Sequence, residues 1–561
     1  MHELQKCGCV LAHIHDARQA LACSVLSFYT VYSMTMPTTP AVMDRLNRRA
    51  DQYLASGQLV AAQTTLESLL QRVPESLPTR LRLIDVLWER GRFRGAAAEA
   101  LRAASFSPVA PEMLIQIAQR LSRCGETVAA RRCLSRLEEQ HDLDSAVLVE
   151  AARLRLALGE IPEALQSIEK AAAEGLDDPD ACYLHASLAQ FSGDIEGAGR
   201  ILEQCLDRWP MFSGASMAQA RLRKQEASTN HVESLQAKLG RIPVDSGVAG
   251  DRLVRAEFES ALFNELDDLG QHAQAWEALA SSNAIMHELF PYHREGEEAV
   301  TEAIIGRALK PVSKGGAVTS GPVPIFIIGL PRSGTTLLDR MLSNHSGVVS
   351  AGEINDFLLQ MCWSCDIVER DLASRLDYLK KSAHVDFREL GERYLQQTIW
   401  RAREHAFFID KLPTNFQLVD LIHRALPDAR ILHMVRDPMD VCFSNLKAMF
   451  GGTSTYSYAF GAMAHYHRQY RRIMRHWHET LPGVVMDVDY DALVKRPEVV
   501  MPQVLAYCGL DMQVDCLSPE RNVAPVSTPS SVQVRQPIHT RSVAQWRHYE
   551  QQLQPLLDML R

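Results

Sequence analysis

Arg332, Ser333, Gly334, Thr335 and Thr336 stand together in the string PRSGTTLL, directly after the apolar run Ile325-Phe326-Ile327-Ile328. Residues of these types in this order could hold one oxyanion. Hydroxyls and backbone N–H groups donate to it, and a forked guanidinium supplies charge. The apolar run reads as a buried parallel strand. Gly329, Pro331 and Gly334 break it into a tight loop, and Thr335-Thr336-Leu337-Leu338 with Met341-Leu342 resumes at helical spacing. Strand, loop and helix N-terminus aim orphan N–H donors at a single anion. Gly329 and Gly334 are separated by four residues, as in the nucleotide-triphosphatase loop GxxxxGK[ST]. Here Thr335 stands at the lysine position and Thr336 in the Ser/Thr slot. Without the lysine that reaches β- and γ-phosphates, the loop argues against a triphosphate hydrolase or kinase. Arg332 suits a smaller terminal anion.

From about residue 324 to the C-terminus the chain resembles the sulfotransferases that use 3′-phosphoadenosine 5′-phosphosulfate, and among them the protein-tyrosine sulfotransferase branch. The resemblance implies that Arg332, Ser333, Gly334, Thr335 and Thr336 hold the 5′-phosphosulfate. It implies that Glu353, in Ala351-Gly352-Glu353, is the base that takes the acceptor proton, with Asp356 a nearby competitor. A carboxylate among cations stays ionised, which suits a base.

Phe407-Phe408-Ile409 reads as a second strand ending in Asp410-Lys411-Leu412-Pro413, and charged residues at such an end lie on the ligand edge of an α/β sheet. Lys411 resembles the family lysine that stabilises charge on the transferring group. A third strand, residues 430–435, leads into Arg436-Asp437-Pro438, with Ser444 eight residues after Arg436. Arg436 and Ser444 match the family's 3′-phosphate motif. The further basic residue often found four beyond the serine is Ala448 here, with Lys447 beside it. Tyr490, after the strand of residues 484–488, resembles a nucleotide-contacting tyrosine. The segment SSVQVRQP at 530–537 resembles the family segment that folds over the donor, which places Ser530 at the transition state and Gln533 and Arg535 on the donor. Trp546 aligns as well, but the lysine expected before it is Gln545.

Bulk properties bound what surrounds this site. A chain of 561 residues should hold more than one domain. A net charge of −9 gives no reason to expect nucleic acid as a partner, so any anion site must be a local cluster of Arg and Lys. The twelve cysteines are scattered; Cys362 and Cys365 have CxxC spacing without a second ligand pair, and all read as ordinary thiols of a reducing, cytoplasmic compartment. No acidic cluster is arranged for magnesium, and no metal is expected. The run at 466–477, YHRQYRRIMRHW, reads as a helix with a solvated or domain-facing basic surface.

The elements ahead of the site are periodic. Gly57, Gly91, Gly125, Gly159 and Gly193 recur every 34 residues, and Ala62, Ala96, Ala130, Ala164 and Ala198 follow each by five. This is the helix–turn–helix period of tetratricopeptide repeats. Glycine ends the first helix, the small alanine lets the second approach closely, and Pro74, Pro108 and Pro210 are expected to start following helices. Such arrays present a concave face, here expected to bind a protein or peptide. Residues 228–247 lose the register and read as a loop; Gly270 and Ala275 mark a divergent sixth unit over 252–289. The apolar stretch at 20–34 is too short and polar for a membrane span and lacks a basic n-region.

The sequence therefore predicts an all-α tetratricopeptide-type solenoid followed by a P-loop-like three-layer α/β domain with a parallel sheet. The expected divisions are a poorly ordered extension at 1–37, an upstream start being the favoured origin, repeats at 38–225, a divergent helical connector at 226–310, a linker at 311–323 and the transferase domain at 324–561. The expected activity is sulfuryl transfer to a hydroxyl, first a protein or peptide tyrosine. A carbohydrate, lipid or small-molecule acceptor is one alternative, and an inactive repeat scaffold another.

Overall fold

The computed structural model describes residues 40–307, 321–528 and 531–561. The expectations for residues 1–37, for Ser530 and for nearly all of the linker fall outside them. Ten helices form five antiparallel pairs: α1 (Pro40–Ala55) with α2 (Leu59–Arg72), α3 (Leu77–Glu89) with α4 (Phe93–Ala104), α5 (Pro111–Arg123) with α6 (Thr127–Glu138), α7 (Ser145–Ala157) with α8 (Ile161–Ala173), and α9 (Pro179–Ser192) with α10 (Ile195–Arg208). The five periodic glycines sit between the members of each pair with φ from 69° to 100°, a region where a Cβ would clash with the backbone. The five periodic alanines are fully buried, as close helix packing requires. The prolines differ from expectation. Pro74, Pro108 and Pro210 lie in the turns before the next helix, whereas Pro78, Pro111 and Pro179 occupy its first positions. A proline in the turn holds the preceding residue out of helical conformation and so ends the previous helix.

The connector continues the helical stack through α11 (Ser213–Leu222), α12 (Val232–Leu239), α13 (Ala249–Asp268), α14 (His272–Leu289) and α15 (Arg294–Ile305). Where a loop was expected at 228–247, α12 forms because Leu235 and Leu239 find a buried groove. Gly270 (φ 72°) and the buried Ala275 repeat the turn chemistry of the array between α13 and α14.

A five-stranded parallel sheet follows, ordered β2 (Val348–Ser350), β3 (Phe407–Asp410), β1 (Val323–Gly329), β4 (Arg430–Val435), β5 (Val485–Asp489). One face, through Ile325, Ile327, Ile409, Leu432 and Val488, packs on α16 (Thr335–Leu342) and on a later helix at Pro497–Cys508. The other face, through Phe326, Ile328, Phe408 and Ile431, shares a continuous core with Phe258, Phe263 and Leu266 of α13 and with Trp477 and Tyr549. The connector is therefore the third layer of the sheet as much as the end of the repeats. Further elements are α17 (Asp356–Cys365), α18 (Leu372–Lys381), α19 (Phe387–Thr398), α20 (Val419–Ala425), α21 (Pro438–Leu446) and α22 (Phe460–Thr480). On α22 the basic residues Arg468, Arg471, Arg472 and Arg475 are all exposed.

The repeat array is docked along its inter-helix turns. A Cβ at Gly125 would lie 2.8 Å from Gln360 Nε2, one at Gly159 3.6 Å from the Ala351 carbonyl, and one at Gly193 3.0 Å from Arg535. Gln360 Nε2 donates to the Gly125 carbonyl (2.9 Å), Thr127 Oγ1 to the Gln397 carbonyl (2.6 Å), and Arg393 pairs with Glu126 (2.7 Å). Cys362 and Val368 join the apolar core of the first repeats. Burial raises the Cys365 thiol to about 12 and the Cys362 thiol further, so neither is a ready thiolate. No helix among the described residues is long and apolar enough to cross a membrane.

Candidate functional site

The loop after β1 is shaped by backbone conformation. Gly329 (φ 150°) and Gly334 (φ 106°) bracket Arg332, which itself holds φ 67°. Gly334 has no room for a side chain, since a Cβ there would meet the Tyr490 ring at 2.3 Å. Thr335 and Thr336 begin α16, and both are buried. Ser333 Oγ is buried without a hydrogen-bond partner, which is the orphaned donor an oxyanion in this loop would satisfy.

Arg436, just past β4, reaches back over the loop. Its Nη1 donates to the Arg332 carbonyl (3.0 Å), its Nη2 to the Ser542 carbonyl (2.5 Å), and its guanidinium lies 4.5 Å from the Tyr490 ring centre. The loop, Arg436 and Tyr490 thus form one unit. Ser444 lies half-buried on α21, which starts directly after Arg436-Asp437. A cavity of about 520 Å³ opens beside the loop, lined by Leu330, Ser333 and Arg436 and continuing past His433 and Tyr470 to Arg471 and Arg475.

Glu353 and Lys411 are brought together by strand pairing carried past the ends of β2 and β3. Ala351 N donates to the Ile409 carbonyl (2.9 Å) and Lys411 N to the Gly352 carbonyl (2.9 Å). Lys411 is buried and its Nζ meets Glu353 Oε1 at 2.5 Å, while the Glu353 side chain is 38% exposed. A buried ammonium therefore holds a carboxylate that still faces outward. Asp410 points the other way, accepting from Tyr394 Oη (2.9 Å) and Asn415 Nδ2 (3.3 Å), and burial raises its carboxyl well above the usual range. Asp356 is buried against Arg401 at 3.5 Å, so it is committed elsewhere.

The segment resembling a donor cover runs against the repeats. Arg535 Nη2 donates to the Phe191 carbonyl (2.8 Å), Gln190 Nε2 to Ser531 Oγ (2.9 Å), and Val526 N to the Phe191 carbonyl (3.0 Å). Gln533 is exposed beside Arg535. Ser530 lies outside the described residues.

Three further groups stand close to the site, and motif reading noted only the first, as the neighbour of Ala448. Lys447 Nζ donates to Gln545 Oε1 (2.8 Å), so it stands beside the position where a lysine was expected. Burial lowers its ammonium to about 8, with Asp267 opposing and Arg332 and Arg436 adding repulsion. Asp339 on α16 is buried near Lys411 and Ser350, with burial raising its carboxyl. Arg340 is buried and bonds Ala524 (2.6 Å) and Asn522, pinning the chain ahead of the segment at 530–537. Only helical spacing from Thr335 could have singled out Asp339 and Arg340, and that spacing alone does not separate core from site. Among the described residues one group, His433, His478 and Asp487, has three metal-donor atoms within 4.8 Å of one another.

A parallel sheet with a Gly-bounded loop after β1, a basic residue after β4 and a carboxylate–ammonium pair past the ends of β2 and β3 gathers these side chains along its C-terminal edge. Residues 324–514 match the sulfotransferase family, and they fall in the α/β part of the chain that follows the helical array of tetratricopeptide type. The chain is similar to an uncharacterized protein of Aquifex aeolicus (strain VF5), 27% identical over 548 residues, covering 90% of this chain and 68% of the relative. It is also similar to a putative protein-tyrosine sulfotransferase of Caenorhabditis briggsae, 24% identical over 232 residues that cover 40% of this chain and 80% of that one. Among solved structures, the sulfotransferase domain from the curacin biosynthetic pathway is 18% identical with a TM-score of 0.30, over 40% of this chain and 90% of that domain.

Proposed function

We propose that the protein transfers a sulfuryl group from 3′-phosphoadenosine 5′-phosphosulfate to an acceptor hydroxyl, a protein or peptide tyrosine in the first instance. The observation that carries the reading is the single unit formed by the Arg332–Thr336 loop, Arg436 and Tyr490, with Lys447 close enough to both arginines to be repelled by them. A concentration of cations in a chain of net charge −9 has no purpose in an empty cleft; it fits a donor with phosphates at both ends of its ribose.

In this reading the acceptor oxygen attacks sulfur, its proton passes to Glu353, and the sulfur–oxygen bond to the 5′-phosphate breaks with its electron pair going to the departing bisphosphate. Glu353 holds the acceptor in line, and Lys411, fixed against it, moves its charge to the sulfuryl oxygens as Glu353 takes the proton. Ser333, Thr335, Thr336 and the backbone of Gly334 hold the 5′-phosphate, Arg436 and Ser444 the 3′-phosphate, and Tyr490 the nucleotide, with Ser530, Gln533 and Arg535 on the covering segment. The repeat array would present the acceptor, and the protein would work in the cytoplasm. The domain divisions at 38–225, 226–310 and 324–561 belong to the same proposal.

Calorimetry with 3′,5′-bisphosphoadenosine tests the donor site: heat of binding is expected, and none would leave only a scaffold. Incubation with labelled donor and host lysate then identifies the acceptor. Label on a sugar, lipid or metabolite instead of a tyrosine would overturn the protein-acceptor part alone.

A further inference from the structure

β4 and β5 set two titratable side chains beside each other. His433 and Asp487 are paired positions in the parallel register, so their side chains leave the same face of the sheet. α22 packs on that face, with Tyr470, Met474 and His478 at i, i+4 and i+8 along one side of the helix. His433 Nδ1 lies 2.7 Å from Asp487 Oδ1, and His478 Nε2 lies 3.1 Å from the same oxygen. The other ring nitrogen of His433, Nε2, is bonded to Tyr470 Oη. His433 is buried, whereas His478 and Asp487 are exposed. All three line the same cavity of about 520 Å³ as Ser333 and Arg436.

Hydrogen bonding alone asks less of this cluster. One imidazole N–H satisfies a half-exposed carboxylate, and a second imidazole on the same oxygen, brought by a separate element, adds little to the fold. Two imidazole nitrogens and a carboxylate oxygen are instead the donor set of a divalent transition ion such as Zn²⁺, unlike the all-oxygen set that suits magnesium. Three such donors held about 2.0–2.2 Å from one ion at tetrahedral angles stand roughly 3.3–3.6 Å apart. The three donor atoms here already lie within 4.8 Å of one another. The two short contacts need open by less than about 1 Å to reach that spacing, and His478 and Asp487 are exposed enough to turn by that much. Tyr470 supplies the outer contact that metal-binding histidines carry: with Nε2–H donating to Tyr470 Oη, the lone pair of His433 Nδ1 faces the carboxylate, and a cation between them removes the repulsion. Arg471, Arg475 and Glu479 of α22 also line the cavity; all three are exposed, and Glu479 offsets part of the arginine charge.

We propose that His433 Nδ1, His478 Nε2 and Asp487 bind a divalent transition metal ion, Zn²⁺ first, in the cavity shared with the donor loop. Three protein ligands leave a fourth position for water or for an anionic group of a ligand in that cavity. The ion joins β4, β5 and the end of α22. It takes no part in the sulfuryl transfer proposed above, so this site stands or falls apart from that reading.

The experiment strips the full chain with a chelator, then titrates it with Zn²⁺ by calorimetry and with Co²⁺ while the visible spectrum is recorded. His478→Ala and Asp487→Asn are measured beside the wild type, since both side chains are exposed and their loss leaves the core intact. The wild type is expected to bind Zn²⁺ in the micromolar range or tighter and to give the visible band of four-coordinate Co²⁺ without the near-ultraviolet charge-transfer band of thiolate ligation. Each variant is expected to lose tenfold or more in affinity and to lose that visible band. Wild-type affinity in either variant, no Zn²⁺ binding by the wild type, or a thiolate band as its only signal overturns the site. Should one variant not fold, His478→Gln or Asp487→Ala takes its place, and wild-type affinity in it overturns the site equally.

Discussion

Lys447 and Gln545 are hydrogen-bonded, Nζ to Oε1 at 2.8 Å, although they stand far apart in sequence. The two departures from the resembling family, Ala448 and Gln545, therefore converge on one cation supplied from position 447. Its ammonium is lowered to about 8 chiefly by burial, so it is charged at pH 7 and loses its proton as the pH rises through 8. Affinity for 3′,5′-bisphosphoadenosine should accordingly fall between pH 7 and 9, with a bound anion moving the transition upward. Lys447→Met should weaken binding about tenfold at pH 7, the size of one charge-assisted hydrogen bond, and flatten that dependence. A pH profile of Kd that is the same in both proteins would remove Lys447 from the site.

Glu353 is exposed enough to meet an acceptor, and its Oε1 is held at 2.5 Å by the Lys411 Nζ. Glu353→Gln preserves the shape but leaves nowhere for the acceptor proton to go. Turnover should fall by a factor of about 10²–10⁴, the range for loss of a general base, with bisphosphate binding unchanged. Normal turnover in this variant would show that another group takes the proton.

Local spacing made much of this legible. The GLPRSGTT string encodes its own loop because glycine positions and following hydroxyls act within a few residues, and the 34-residue glycine period encodes its own turns for the same reason. Glu353 was visible only through resemblance, and Lys411 through resemblance and its place at the end of an apolar strand. Their meeting depends on β2 and β3 staying paired past their ends, a tertiary event. Asp339 was invisible because the helix that carries it reads as an ordinary amphipathic segment, and Lys447 was seen only as the neighbour of Ala448, not as the partner of Gln545. What makes each special is a group more than 60 residues away, Lys411 or Gln545. The short helix at Val232–Leu239 was missed for the converse reason: a weak local pattern became helical once Leu235 and Leu239 had a groove to fill.

Arg436 holds the Arg332 carbonyl and stacks on Tyr490, so its removal loosens the loop and deletes a cation. If it also reads the 3′-phosphate, Arg436→Ala should weaken 3′-phosphoadenosine 5′-phosphosulfate by about 10- to 100-fold more than adenosine 5′-phosphosulfate, since a charged hydrogen bond is worth about 1.5–3 kcal/mol. Competition binding with both nucleotides gives the ratio. Equal losses would confine Arg436 to shaping the loop.

Two glycines of the array separate turn strain from docking. Gly57 and Gly125 share a left-handed backbone, φ 69° and 70°, but an alanine Cβ at Gly57 would meet nothing within 4 Å. At Gly125 it would press on Gln360 Nε2 at 2.8 Å and Leu359 Cβ at 3.0 Å, and would displace the side chain that donates to the Gly125 carbonyl. Gly57→Ala should therefore cost only the left-handed penalty of roughly 1–2 kcal/mol. Gly125→Ala should add about 1–3 kcal/mol of overpacking where α17 meets the third repeat. Because α17 begins just after Glu353, that second variant should also lower turnover while the first does not. Urea midpoints and rates measured on both proteins check it. Equal midpoints would mean that the transferase domain does not lean on this turn, and that the glycine period serves the repeats alone.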